Sequence, residues 1–231
     1  MIPPALDGRL AAAAAFVRPG ARMADIGCDH GKLSVHMAMM EKARYVIAVD
    51  ARPQPLRKAW ALAVRAKMEK RVECRLGDGL TALRPEEADD IVMAGISGVT
   101  AAEILAASPS FWQEDKRFIF VPASKTADLR RWLCGHGFKI EAERAAWAAG
   151  HIYAVLCARY TGEAEEKDGF FCALGALAED ESPEAESYRR KVLADMEIKY
   201  RGRRNDPRYT DEEKRELREL TERVRKTVEK P

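Results

Sequence analysis

With 231 residues, 47% of them hydrophobic and 33% charged, the chain can bury one full core and carry a modest appendage, and it is neither disordered nor fibrous in composition. A formal net charge of +2 supplies no general attraction to nucleic acid, so any such contact has to come from a local basic surface. No apolar run approaches the roughly 18 residues of a membrane span, and Met1 to Val17 lacks the pattern of a secretory leader.

Cys28, Cys74, Cys134, Cys157 and Cys172 are far apart with no C-x-x-C pair, and His30, His36, His136 and His151 are equally scattered. The expectation is a cytoplasmic chain with reduced cysteines, no metal and no membrane partner.

The Ala11 to Ala15 run opens a helix. Five short β-type runs follow: Met23 to Gly27, Tyr45 to Asp50, Val72 to Leu76, Asp90 to Ala94 and Phe118 to Pro122. Between them lie stretches with helical spacing, among them Leu56, Trp60, Ala63 and Val64, and then Ala101 to Ala107. Strands alternating with helices predict right-handed crossovers and a parallel, doubly wound α/β sheet of Rossmann-like type, with ligands at the carboxyl ends of the strands. A helix over Ser124 to His136 then leads to two runs, Gly137 to Glu141 and His151 to Leu156, which read as a terminal antiparallel hairpin. Methyltransferase sheets carry that feature and dehydrogenase sheets do not.

From Glu163 to Ser187 the chain reads as acidic and irregular, with Pro183 able to open a helix. Tyr188, Val192, Met196 and Tyr200 form one stripe, and Leu217, Leu220, Val224 and Val228 form a second. Asn205-Asp206-Pro207 separates them, and Thr210 with Glu213 has capping-box spacing. The two stripes are expected to zip into an antiparallel helical hairpin.

The central site candidate is Ala24-Asp25-Ile26-Gly27-Cys28-Asp29-His30-Gly31, where the first strand turns into the first helix. Gly27 lets the backbone approach a ligand, but Asp29 stands where a dinucleotide fingerprint has its second glycine. A carboxylate there repels a pyrophosphate and accepts a cationic sulfonium and amino group. Asp50 closes the second strand, suited to ribose hydroxyls; Asp78 in Gly77-Asp78-Gly79 closes the third, suited to an adenine amino group; Gly95 follows the fourth. Each carboxylate alone has a plainer explanation, since Asp25 and Asp50 can cap helices and Asp78 can hold a turn. Together, at the ends of successive strands, they favour a nucleoside cofactor.

Leu6-x-x-Arg9-Leu10, Ala24-Asp25-Ile26-Gly27-x-Asp29-His30, Arg75-Leu76-Gly77-Asp78-Gly79-Leu80, Ala94-Gly95-x-x-Gly98, Leu129-Arg130-x-Trp132-Leu133 and Ile152-Tyr153 resemble the bacterial tRNA (adenine-22, N1) methyltransferase family, often called TrmK. The resemblance runs from about Leu6 to Tyr160 and more faintly beyond. It implies a catalytic domain over residues 1–162, S-adenosyl-L-methionine as donor, tRNA as substrate, and a helical domain over residues 163–231 that helps engage tRNA. Carried onto this sequence, the cofactor contacts are Arg9, Asp25, Gly27, Asp29, His30, Asp50, Ala51, Asp78, Gly79 and Gly95, with Arg9 suited to a bidentate pair with the methionine carboxylate. The chain departs from the family at Cys28, Gly31 and Lys32, at Ile96-Ser97, and at Phe120 to Ser124. A monomer is the favoured state.

Methylating adenine N1 uses a ring lone pair and makes the ring cationic, so no strong base is required. Asp29 is the candidate carboxylate for that developing charge. No Asn-Pro-Pro-Tyr type segment follows the fourth strand, which argues against an exocyclic amine. For the RNA, Lys199, Arg201, Arg203, Arg204 and Arg208, with Arg189, Arg190 and Lys191 upstream, form a candidate phosphate footing. The alternative is a solvated face balanced by Glu212, Glu213, Glu216 and Glu219. Two other functions stay open: a methyltransferase of this fold acting on another RNA or a small molecule, and a non-catalytic relative that binds RNA or cofactor.

Overall fold

The structure, a computed structural model, describes residues 2–229; Met1 and residues 230–231, the outer ends of the two expected domains, lie outside the described residues. In chain order it runs α1 (Gly8–Phe16), β1 (Ala21–Ile26), α2 (Lys32–Met39), β2 (Ala43–Asp50), α3 (Pro53–Arg65), β3 (Val72–Leu76), β4 (Asp90–Ala94), α4 (Gly98–Ala106), β5 (Arg117–Val121), α5 (Thr126–Gly135), β6 (Phe138–Ala148), β7 (His151–Tyr160), α6 (Gly169–Leu174), α7 (Pro183–Arg203) and α8 (Asp211–Val228). The seven strands form one sheet in the order β3-β2-β1-β4-β5-β7-β6. β1 to β5 are parallel, and β7 lies antiparallel between β5 and β6.

Strands β1, β2, β4 and β5 are buried on both faces, so their residues alternate between two hydrophobic layers. Ala24, Ile26, Ile47, Val49, Ile91, Met93, Phe118 and Phe120 meet Ala101 and Leu105 of α4 and Leu129 and Leu133 of α5. Met23, Val46, Ala48, Val92, Ile119 and Val121 meet the other layer, where α1 brings Ala13, α2 brings Leu33 and Met37, and α3 brings Ala59. Polar side chains start the helices where the sequence has them. Asp7 accepts from the Leu10 amide, Ser97 from Thr100, Ser182 from Ala185, and Thr210 and Glu213 close the expected capping box.

Three features differ from expectation. The hairpin is longer than its β-type runs, because pairing along β7 carries the alanine-rich segment up to Ala148 as strand. The stretch read as irregular contains α6 and a 3-10 turn over Gly175–Ala178, with Ala173, Leu174 and Leu177 buried in one layer with Phe118, Phe138 and Leu156. One hydrophobic layer therefore runs across residues 162 and 163. Finally, α7 and α8 pack on each other as the expected hairpin, but the α7 stripe also reaches the sheet: Tyr188, Val192 and Met196 join the sheet layer together with Leu220 and Val224 of α8. The sheet face beside β6 and β7 offers more apolar surface than one helix can.

A buried ion pair fastens this junction. Arg130 on α5 is wholly buried, with Nε 2.7 Å from Glu143 Oε1 on β6. Arg130 also donates to the carbonyls of Cys172 (3.1 Å) and Ala173 (2.8 Å), and Glu143 accepts from the Ala176 amide at 2.9 Å.

Candidate active site

At the end of β1 the amides of Gly27 and Cys28 both donate to the Val49 carbonyl, at 2.8 and 2.9 Å. That draws the turn against β2 and needs the positive φ of 72° at Gly27, which glycine adopts without strain. Asp29 sits in the same left-handed region at φ 48°, a conformation that costs a non-glycine residue about 1–3 kcal/mol. Its amide donates to Asp50 Oδ2 at 3.1 Å, a bond that holds it there. The Asp29 carboxylate is exposed, 2.6 Å from His30 Nδ1, and His30 Nε2 lies 3.2 Å from Lys58 Nζ.

Asp25 is not a helix cap. It is buried and accepts from Ser34 Oγ on α2 at 2.6 Å. Burial pushes its carboxyl up from 3.8 to about 6, with the Ser34 hydrogen bond opposing and the Asp50 charge adding to the rise. Asp50, also buried, accepts from the Arg52 amide at 2.9 Å as well as from Asp29. The exposed Arg52 guanidinium is 3.3 Å from it. Burial, followed by the charges of Asp25 and Asp50, pushes the Cys28 thiol well above its ordinary range, which fits a packing residue. All five cysteines are free.

Arg9, Asp25, Gly27, Asp29 and His30 come together around one cavity of about 290 Å³, with Asp7, Leu10, Lys32 and Ala94 in its wall. Arg9 bonds Asp7 at 3.2 Å, and a Cβ on Gly95 would lie 3.7 Å from its guanidinium. Asp50 and the exposed Ala51 stand at the neighbouring strand end. Asp78 and Gly79 stand one strand further, Asp78 exposed and Gly79 buried against Ile104 of α4, outside that cavity's wall.

Two residues near the site carry no role assigned from the sequence, although Tyr153 belongs to the Ile152-Tyr153 motif. The Arg9 guanidinium lies 5.2 Å over the ring of Tyr153 on β7, and Tyr153 lines a second cavity of about 490 Å³ between the β5–α5 turn, β7 and α7. Lys125, at φ 60° before α5, lines the same groove with Lys191 and Lys199. The contacts join residues from opposite ends of the chain, and no local spacing signals them. Gly98 brings the two strand-end turns together: its amide donates to the Ser124 carbonyl at 2.8 Å, and a Cβ there would fall 2.2 Å from the Lys125 carbonyl oxygen.

Of the basic residues expected to face RNA, Arg189 is corrected. It is buried, donating to the carbonyls of Leu177 at 2.8 Å and Asp180 at 2.5 Å, because the 3-10 turn before α7 needs a donor there. Arg190 pairs with Glu186 at 2.7 Å. Lys199, Arg201 and Arg204 are exposed, and Arg203 lies 4.2 Å over the Tyr209 ring. Among the described residues there is no group of three or more His, Cys, Asp or Glu able to hold a metal, and no helix is long and apolar enough to cross a membrane.

The donor set fits a cationic nucleoside. A carboxyl held near neutrality by burial gains most from a positive group beside it, whereas the same carboxylates oppose a pyrophosphate.

A methyltransferase-domain family model matches residues 6–156. The chain is 30% identical over 172 residues to the Bacillus subtilis tRNA (adenine(22)-N(1))-methyltransferase, covering 74% of this chain and 72% of that one. The crystal structure of the B. subtilis m1A22 tRNA methyltransferase TrmK superposes with a TM-score of 0.82 at 26% identity, covering 98% of this chain and 100% of that one. The Streptococcus pneumoniae protein Sp1610, in complex with S-adenosyl-L-methionine, does so with a TM-score of 0.81 at 25% identity, over 95% and 98% of the two chains. Fold, strand-end carboxylates and sequence agree: the chain belongs to the tRNA (adenine(22)-N(1))-methyltransferase family of S-adenosylmethionine-dependent enzymes.

Proposed function

We propose that the protein methylates N1 of an adenine in tRNA, position 22 by analogy with its relatives, in the cytoplasm. The observation that carries the reading is the buried, raised Asp25 carboxyl beside Arg9, Gly27 and Asp29 at the carboxyl end of the central strand. S-adenosylmethionine supplies an electrophilic methyl group with a neutral thioether as leaving group.

Arg9 would hold the methionine carboxylate and Asp25 the amino group, fixing the end of the donor nearest the acceptor. Asp50 would take the ribose hydroxyls, with the exposed Arg52 side chain as the partner that yields. Asp78 and Gly79 would bound the adenine. Gly95, at the end of β4, leaves backbone rather than side chain where the acceptor base has to approach.

At neutral pH adenine N1 carries a lone pair and no proton, so the residues need only align it and favour the positive charge that moves onto the ring. Asp29 would supply that favourable charge from the rim, oriented by His30. Residues 1–162 would thus hold the donor, and residues 163–231 would lean on the tRNA through Lys199, Arg201, Arg203 and Arg204.

The test is transfer of labelled methyl to an unmodified tRNA transcript, repeated with the target adenine replaced. Formation of 1-methyladenosine in the first and none in the second is expected. A protein that binds the donor yet leaves both transcripts unmodified overturns the proposal.

A further inference from the structure

The larger groove adjoins the donor cavity where the Arg9 guanidinium lies over the Tyr153 ring. Its walls come from the β5–α5 turn, from His151 to Ala154 of β7, and from the exposed side of the α7 stripe. Three lysines line it against one carboxylate. Lys191 is taken by Asp195 at 2.9 Å, and among the described residues Lys125 and Lys199 enter no ion pair. We infer that this groove receives the unpaired tRNA segment carrying the target adenine, with Tyr153 as a stacking face at its inner end and Lys125 and Lys199 on the flanking phosphates.

The inference rests on the proposed function and adds the route by which the base arrives. An internal base must leave its stack before it can react, and stacking on an aromatic side chain offsets part of that cost. Tyr153 is the aromatic residue that lines the groove next to Arg9, so a base stacked there stands beside the donor's methionine end. Although Lys199 is exposed, partial desolvation by the surrounding atoms, then the neighbouring charge of Arg203, holds its ammonium below its ordinary value, and an anion placed beside it would reverse that penalty. The groove also lies between the catalytic sheet and α7, which gives the helical hairpin a reason to be anchored by the buried Arg130–Glu143 pair.

Four proteins test this: wild type, the double variant Lys125→Ala/Lys199→Ala, Tyr153→Leu and Tyr153→Phe. Donor binding is followed by calorimetry, and tRNA methylation by kcat and KM over a salt series. In the double variant, KM for tRNA should rise about tenfold and the salt slope fall by about 1 to 2, with donor affinity unchanged. Tyr153→Leu should lose about tenfold in kcat/KM while Tyr153→Phe keeps it within about twofold, since the ring and not the hydroxyl does the stacking. With an active wild type, an unchanged KM and salt slope in the double variant, or equal losses for Leu and Phe, overturns the groove. A wild type that binds donor but does not methylate tRNA overturns the proposed function itself, and the groove with it.

Discussion

Replacing Asp25 with asparagine removes a buried charge while leaving an oxygen to accept from Ser34. In the native protein this carboxyl titrates near 6, against 3.8 ordinarily, with burial as the main cause. A proton is therefore held more tightly folded than unfolded, so stability is greatest below about 4 and falls as pH rises through about 6. At about 1.4 kcal/mol per pH unit, ionised Asp25 costs the fold roughly 3 kcal/mol at neutral pH. Asp25→Asn should thus be more stable than wild type at pH 8, by about 1–3 kcal/mol after the cost of burying an amide, and the gain should vanish by about pH 4. Urea denaturation across that range reads it directly. Donor binding supplies the other half: in wild type, affinity should fall about tenfold per pH unit below about 6, where Asp25 takes up its proton, while the asparagine variant binds weakly and without that slope. A stability difference that stays flat between pH 4 and 8 would refute the reasoning.

Other outcomes follow from the same geometry. Glu143→Ala strands the buried Arg130 guanidinium and should cost about 3–5 kcal/mol in denaturation; a loss under 1 kcal/mol would mean that the pair is solvated. Gly98→Ala sets a Cβ against the Lys125 carbonyl, backbone that cannot step aside, and should lower stability by about 1–3 kcal/mol, measured by thermal melting. Arg9→Ala should weaken donor binding about tenfold or more by calorimetry, and an unchanged affinity would remove Arg9 from the carboxylate. Arg203→Glu with Arg204→Glu should weaken tRNA binding and flatten its salt dependence, and unchanged binding would return these residues to a solvated face.

What the chain states locally could be read locally. Runs such as Tyr45 to Asp50 and Asp90 to Ala94 announce strands, Pro183 and Thr210 announce helix starts, and Asp25-Ile26-Gly27-x-Asp29 announces a tight turn with carboxylates at a strand end. These follow from period, capping and turn chemistry, which act over a few residues. The tertiary structure decided the rest. Arg189 looks like its exposed neighbours until the turn at Gly175–Ala178 is seen to need its guanidinium. The Tyr188 stripe reads as one half of a helical hairpin until β6 and β7 offer it a sheet face as well. Arg9 meets Tyr153, and Lys125 meets Lys199, only because β7 inserts beside β5 and α7 folds back over it. Burial and charge neighbours are properties of the packed molecule, and residues that far apart in the chain have no other way to declare that they share a site.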